Sequence, residues 1–195
     1  MLKKYLFIAC SFLLVTNLAF GYEPLPPETI YSISENQQYL LQITPMSKQA
    51  VENIPYEIKR NSLTIIIYEK RSTEIEGVSE TIYYWQEISF FRVKHPDSGS
   101  GGWLAETRQG IISNDGNRIM ILSQINPMAR IRPVNDIYVY DRSGNMLKSF
   151  TQEELFLNEV KDINSISMDE NNYQMKVVSI EGEIKNIDLN NFKIK

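Results

Sequence analysis

The sequence predicts an all-β domain with mainly antiparallel strands. Residues 32–195 contain many segments of four to eight residues that alternate or run apolar, and these segments are rich in β-branched and aromatic side chains, as strands are. Turn-forming Asn, Asp and Gly residues bound several of them. One pattern of serine, polar turn and strand also occurs three times. We therefore expect sheets built from similar hairpins.

The N-terminal residues predict export. Two lysines form a short basic region, residues 5–18 are mostly apolar, and Ala19 and Gly21 are small residues at the positions that a signal peptidase reads. We expect residues 1–21 to be a signal peptide, and the protein to be periplasmic or secreted with no integral membrane span after cleavage. Two alternatives stay open: a retained anchor, although the apolar run is shorter than the roughly 20 residues that span a bilayer, and lipidation of Cys10.

The remaining chain divides into a leader and one domain. Residues 22–31 contain three prolines and predict an extended, Pro-rich leader. No linker divides residues 32–195, which we expect to be a single β-rich domain. The predicted strands are residues 39–43, 63–68, 81–85, 88–93, 119–122, 137–140 and 175–178.

One short helix is expected near residues 152–160. Thr151 precedes Glu154 by three residues, which is the spacing of a capping box, and apolar residues follow at helical intervals. The polar segments 114–117, 141–145 and 181–183 are expected to be turns between strands.

The repeated pattern covers residues 32–41, 111–120 and 165–174. In each copy an apolar residue and a serine precede a polar turn and a strand, and the serine is expected to bond the turn backbone. A later strand in each unit ends on an acidic residue and a turn. The serines are Ser34, Ser113 and Ser167, and the acidic residues are Glu69, Asp141 and Asp188.

Serine, polar turn and strand, followed by an apolar residue, Tyr140, Asp141 and Gly144, resemble the blade repeats of bacterial β-propellers of the TolB or lactonase type. The pattern is also similar to repeats in small uncharacterised exported bacterial proteins. A closed propeller needs about four to eight blades, and the three copies here are unequally spaced. We therefore expect a propeller-like partial array or a β-sandwich, with its exposed edges covered by the helix, a charge or a partner.

Charge and cysteine content exclude several classes of function. The net charge is −4, and cleavage after residue 21 would remove two lysines and no acidic residue, leaving −6. Lysines and arginines are scattered among acidic residues, which disfavours nucleic acid as a partner. Cys10, the only cysteine, lies in the signal peptide. We expect no disulfide, thiolate metal site or cysteine nucleophile in the mature chain, and no cofactor.

His95 is the only histidine, so a zinc site or a Ser-His-Asp triad would depend on this one residue. Asp97 and several serines lie beside it in one glycine-rich loop, whereas a triad is assembled from separate rigid elements. We expect no catalytic role for His95. The loop is instead a candidate contact surface in which His95, Asp97 and Trp103 meet a partner. The alternative is a long hairpin loop that returns Trp103 to the core.

Carboxylates and aromatic residues offer weaker candidates. Asp141, Ser143 and Asn145 place oxygens at alternate positions, as a calcium loop does, but a hairpin turn explains this spacing better. Asp115 and Asp169 are expected to cap turns. Tyrosines at residues 83–84, 138 and 140, together with Trp85, could line a sugar-binding face or pack in the core.

These observations predict an exported, non-catalytic binding protein of a bacterial envelope, which acts on another protein or an envelope component through its loops. They leave two alternatives from other classes. One is a carboxylate-dependent hydrolase of glycans, because 24 acidic residues provide many carboxylate pairs. The other is an acidic inhibitor or immunity-type protein that binds a basic enzyme.

Overall fold

The computed structural model describes residues 29–45, 62–74, 81–94, 105–125, 134–156 and 162–195. Within these ranges the chain is all-β with one short helix, as predicted, and every strand pair is antiparallel. The elements are β1 (Ile30–Ile33), β2 (Tyr39–Pro45), β3 (Ser62–Glu74), β4 (Thr81–Lys94), β5 (Ala105–Ile112), β6 (Arg118–Ile125), β7 (Val134–Asp141), β8 (Met146–Thr151), α1 (Gln152–Leu155), β9 (Ile163–Asp169), β10 (Gln174–Ser179) and β11 (Ile184–Asp188).

The strands form three sheets in which consecutive strands pair. Sheet 1 has the order β1-β2-β3-β4, sheet 2 has β5-β6-β7-β8, and sheet 3 has β11-β10-β9. A single bridge between Ile187 and Ile194 continues sheet 3 beyond β11. Each sheet is thus an antiparallel meander.

The sheets stack in chain order around two apolar cores. The first core joins sheets 1 and 2 and includes Ile65, Ile121 and Tyr138. The second core joins sheets 2 and 3 and includes Leu122 and Val177. Sheet 2 is therefore buried on both faces. This explains why residues 119–122 are apolar without alternation, since successive side chains in a strand point to opposite faces.

The first strands of the three sheets lie against one another, β1 and β2 against β5, and β5 against β9. Gly110 of β5 permits this approach, because a Cβ atom there would collide with Ile43 Cδ1 and meet Leu41 Cδ2 at 3.3 Å. On the other side, the Gln109 side chain donates to the Ile166 carbonyl at 2.8 Å and accepts from the Ile166 N–H at 3.0 Å. A buried glycine and a glutamine thus bring three sheets together.

Sheet 1 differs from its prediction in two respects. Residues 81–85 and 88–93 belong to one long strand, β4, with an irregularity between the pairs Ile67–Ser89 and Tyr68–Glu87 that accommodates Ile88. Glu69 does not end a strand, because it pairs with Tyr39 while β3 continues to Glu74. Among the described residues, the last part of β3 (Lys70–Glu74) pairs as a strand only with the first part of β4 (Thr81–Trp85). These two segments form a two-stranded arm.

The predicted capping box is present and the predicted helix is shorter than expected. Thr151 Oγ1 accepts from the Glu154 N–H at 3.2 Å, and Glu154 Oε2 accepts from the Thr151 N–H at 3.0 Å. The helix ends at Leu155 rather than near residue 160, because Phe156 leaves helical geometry with φ −115°. Leu155 and Phe156 are both buried in the second core.

The N-terminal predictions lie largely outside the described residues. The predicted signal peptide and most of the leader fall in residues 1–28. Ile30 and Tyr31, the last described residues of the leader, pair with Ile43 and Gln42 in sheet 1. No helix in the described ranges is long and apolar enough to cross a membrane.

Candidate binding site at the turn edge

Two similar six-residue turns begin the site. Ser34 Oγ accepts from the Tyr39 N–H at 2.9 Å, and Ser113 Oγ accepts from the Arg118 N–H at 2.9 Å. The two hydroxyls donate to Asn36 Oδ1 at 2.7 Å and to Asp115 Oδ1 at 2.5 Å. The predicted role of the serine is therefore confirmed in the first and second copies of the repeat.

The third copy uses an aspartate instead. Ser167 lies within β9 and pairs with Lys176, so the prediction that it caps a turn is wrong. The hairpin between β9 and β10 is shorter, and Asp169 takes over the capping role. Its carboxylate accepts from the Asn172 N–H at 3.2 Å and from Asn172 Nδ2 at 2.9 Å.

Asp141 organises the turn between β7 and β8, as predicted. Its Oδ1 accepts from the N–H groups of Ser143 at 2.8 Å and Asn145 at 2.9 Å, and its Oδ2 accepts from Asn145 Nδ2 at 2.8 Å. Gly144 has φ +87°, the left-handed conformation that closes the turn. This carboxylate holds backbone N–H groups, and no group of three or more potential metal ligands occurs among the described residues.

Asn114 connects the first turns of the three sheets. It accepts from the Asn36 N–H through Oδ1 at 2.8 Å, and its carbonyl accepts from Asn36 Nδ2 at 2.9 Å. Its own N–H donates to Glu170 Oε1 at 2.7 Å. These contacts place the turns of all three sheets at one end of the stack, which we call the turn edge.

An open recess of about 500 Å³ lies at the turn edge between sheets 2 and 3. Two aspartates and two arginines line it, Asp115 with Arg118 and Asp141 with Arg142. The rest of the lining comprises Asn117, Ser143, Tyr173 and Asn190. The recess therefore combines hydrogen-bond donors and acceptors with one aromatic ring and no net charge.

Arg142 is fixed on one side of the recess. Its Nε donates to the Gly116 carbonyl at 3.1 Å, and its Nη2 donates to the Asp115 carbonyl at 2.7 Å. The guanidinium carbon lies 5.4 Å from the centre of the Tyr39 ring of sheet 1, within the range of a cation–π contact. The turn of one hairpin thus anchors an arginine from the next hairpin.

Arg118 and Tyr173 form the other side. The guanidinium carbon of Arg118 lies 6.0 Å from the Tyr173 ring centre, and its Nη1 donates to the Asn117 carbonyl at 3.2 Å. Its Nε is buried and has no hydrogen-bond partner within the described part of the chain. The Tyr173 hydroxyl donates to Asp115 Oδ2 across a long 3.5 Å. Burial and the neighbouring Asp115 charge raise the Tyr173 pKa, so the hydroxyl keeps its proton at neutral pH.

The two aspartates of the recess are ionised acceptors. Burial raises the pKa of Asp115, but hydrogen bonds from Ser113 and Asn117 outweigh burial and lower the pKa below its usual value. At Asp141 burial likewise raises the pKa, and hydrogen bonds from Asn145 and Ser143 together outweigh burial and lower it. A general acid needs a proton at neutral pH. These carboxylates hold turns and do not suit that role.

Glu170 behaves differently and lies outside the recess lining. Burial raises its pKa and outweighs the hydrogen bond from the Asn114 N–H, and the charges of Asp115, Glu35 and Asp169 raise it further. Glu170 therefore serves as an acceptor for Asn114 in an unfavourable electrostatic environment.

The candidate site residues from the sequence have mixed outcomes. His95, Asp97 and Trp103 lie outside the described residues. Asp115, Asp141 and Ser143, which the sequence identified as turn residues, do contribute to the recess. Sequence reasoning missed the arginines, Tyr173 and Asn190. The available signal was that Arg142 follows Asp141 directly and that Arg118 ends the turn begun by Ser113.

The aromatic candidates separate into two groups. Tyr138 and Tyr140 are buried in the first core, which confirms the alternative that they pack inside. Tyr83, Tyr84 and Trp85 are exposed on the arm of sheet 1. Comparison of the chain with protein-family models, with curated proteins and with solved structures finds no match.

Proposed function

We propose that this chain is an exported, non-catalytic binding protein of a bacterial envelope, and that it binds a polar ligand in the recess at the turn edge. The observation that carries the proposal is the hydrogen bonding of the recess carboxylates, which keeps them ionised. Asp115 and Asp141 both accept hydrogen bonds from their own turns and have lowered pKa values. The recess therefore offers recognition groups without a general acid.

We further propose that the three sheets form a propeller-like partial array. Each sheet is an antiparallel meander, the sheets pack face to face in chain order, and their first strands lie together. The recess lies where the turns of the array meet, and its residues come from four different turns of sheets 2 and 3.

A ligand rich in hydroxyl groups fits the lining best. Each hydroxyl can donate and accept, and the recess presents arginine and amide donors beside carboxylate acceptors. The Tyr173 ring adds one apolar face. Envelope polysaccharide is the ligand class that combines this chemistry with the proposed location.

Co-sedimentation with purified peptidoglycan sacculi tests this function. We expect the wild-type chain to sediment with the sacculi and the Arg118→Ala variant to lose about tenfold in affinity, as for a residue central to a binding site. Arg71→Ala is the matched control, because Arg71 is an exposed arginine on the arm that pairs with Glu69 away from the recess. Release of reducing ends from the sacculi by the wild-type chain would contradict the non-catalytic proposal and favour the hydrolase.

A further inference from the structure

The two end sheets of the stack have different outer faces. Sheet 3 turns Ser167, Lys176 and Asn186 away from sheet 2, opposite the buried Met175 and Val177. This face is mainly polar, as on a terminal unit that closes an array of repeats. The outer face of sheet 1 exposes more aromatic side chains.

The outer face of sheet 1 carries exposed aromatic and aliphatic residues among polar ones. Alternation along β2 and β3 places it opposite the buried residues Leu41, Ile43 and Ile65. Cross-strand partners share a face, so the pairs Tyr31–Gln42 and Ile66–Phe90 lie on it, as does Trp85 opposite Lys70. Its most exposed apolar residues are Tyr31, Ile33, Tyr83, Trp85 and Phe90.

The exposed area approaches what one side of a stable interface needs. These five side chains are between 39% and 63% exposed. Since such side chains bury about 150–250 Å² each, roughly 500 Å² remains accessible on one face. Partly buried Leu40, Ile66 and Tyr68 lie between them. A standard interface buries about 800 Å² per partner, and contiguous apolar patches of several hundred Å² mark interaction sites.

Two opposite charges on this face, Glu87 and Arg92, are placed so that they can pair between two copies of the chain. Glu87 pairs across the strand with Tyr68, and Arg92 pairs with Thr64, so both lie on the outer face, where they are exposed. Their partners Tyr68 and Thr64 are four residues apart on β3, which places Glu87 and Arg92 about 13 Å apart along the strand. In a two-fold symmetric dimer, Arg92 of one copy can meet Glu87 of the other, and the reverse pair forms at the same time.

We propose that the outer face of sheet 1 is a dimer interface and that its occupant is the same face of a second copy of this chain. The two faces pack against each other with Tyr31 and Phe90 in the centre, between two Glu87–Arg92 pairs. This interface does not include the recess and does not depend on the function proposed for it.

Analytical ultracentrifugation of the chain, purified from the cells that produce it, tests the interface. We expect a dimer for the wild type and a loss of about tenfold or more in dimer affinity for Phe90→Lys, because a charge would replace a central aromatic residue. Ile184→Lys is the matched control, since Ile184 is 48% exposed on the outer face of sheet 3. Its dimer affinity should equal that of the wild type.

Exchanging the charges of Glu87 and Arg92 distinguishes a loss of this interface from a general loss of folding. Glu87→Arg and Arg92→Glu should each weaken the dimer, and the double variant should restore it, because the pairs re-form between copies with reversed sign. A wild-type monomer at all concentrations overturns the proposal. So does a dimer that Phe90→Lys leaves intact, or one that Ile184→Lys abolishes, which would place sheet 3 in the contact.

Discussion

Asn36 and Asn114 bond to each other twice across the boundary between sheets 1 and 2, through the Asn36 N–H to Asn114 Oδ1 and through Asn36 Nδ2 to the Asn114 carbonyl. Each residue lies in a serine-capped turn of the same length. The same kind of turn therefore closes a hairpin and also joins two sheets. This double role explains how the turns of sheets 1 and 2 come together at the turn edge.

Asn114→Ala should lower the free energy of unfolding by about 1 kcal/mol, because the Asn36 N–H loses its acceptor. Asn191→Ala is the control, since the side chain of Asn191 bonds within its own turn, to Asp188 at 3.2 Å. Chemical denaturation of both variants gives the comparison. An Asn114→Ala variant as stable as the wild type would remove this contact from the account of how the sheets are held.

Gly144→Ala should destabilise the fold more than Gly182→Ala. Both glycines have similar positive φ, +87° and +86°, so each alanine carries the same backbone cost of about 1 kcal/mol. A Cβ at Gly144 would lie 2.6 Å from Phe91 Cδ2, whereas a Cβ at Gly182 meets nothing within 4 Å. Thermal unfolding separates the two effects, and equal losses would contradict the packing of Phe91 against this turn.

Glu170→Gln should leave the free energy of unfolding at pH 7 unchanged or raise it. The raised pKa means that the folded state disfavours the ionised carboxylate. The amide keeps an acceptor for Asn114 and removes repulsion from Asp115 and Asp169. Glu170→Ala should be less stable than Glu170→Gln because it removes the acceptor. Denaturation at pH 7 checks both variants, and a Gln variant less stable than the Ala variant would contradict this role.

Acid should destabilise the fold below about pH 4. Hydrogen bonds from Asn172 lower the pKa of Asp169, and those from Asn190 lower the pKa of Asp188, in the same direction as at Asp115 and Asp141. A carboxyl with a lowered pKa contributes stability above its unfolded pKa, near 3.9, and this is lost as pH falls through the folded pKa. Unfolding measured against pH should show this decline, with a shallower slope for Asp141→Asn. Identical slopes would contradict the role of Asp141.

Local chemistry in the sequence predicts the turns and the capping box well. Thr151 and Glu154, and the bonds within the turn at Asp141, involve neighbours in the chain, so spacing alone identifies them. Ser167 and Glu69 carry the same local signals and yet lie within strands. The short hairpin between β9 and β10 places Ser167 within a strand, and the extension of β3 does the same for Glu69. Neither feature can be recognised from the residue itself.

Features that depend on packing between sheets could not be predicted. The strand β5 contains Arg108, Gln109 and Gly110, which are poor strand signals. The strand is held in place because the Gln109 side chain bonds to the Ile166 backbone, and because Gly110 leaves room for side chains of sheet 1. The recess is a similar case. Its residues come from turns that are distant in the chain and meet only after the three sheets have stacked.

The most direct test of the binding proposal is a titration of the isotope-labelled chain with soluble peptidoglycan fragments, followed by backbone amide NMR. The recess account predicts chemical shift changes at Asn117, Ser143 and Asn190, which line it, with their loss in the Arg118→Ala variant. Chemical shift changes confined to the arm at Tyr83 and Trp85, or no changes at the highest fragment concentration, would contradict the recess account.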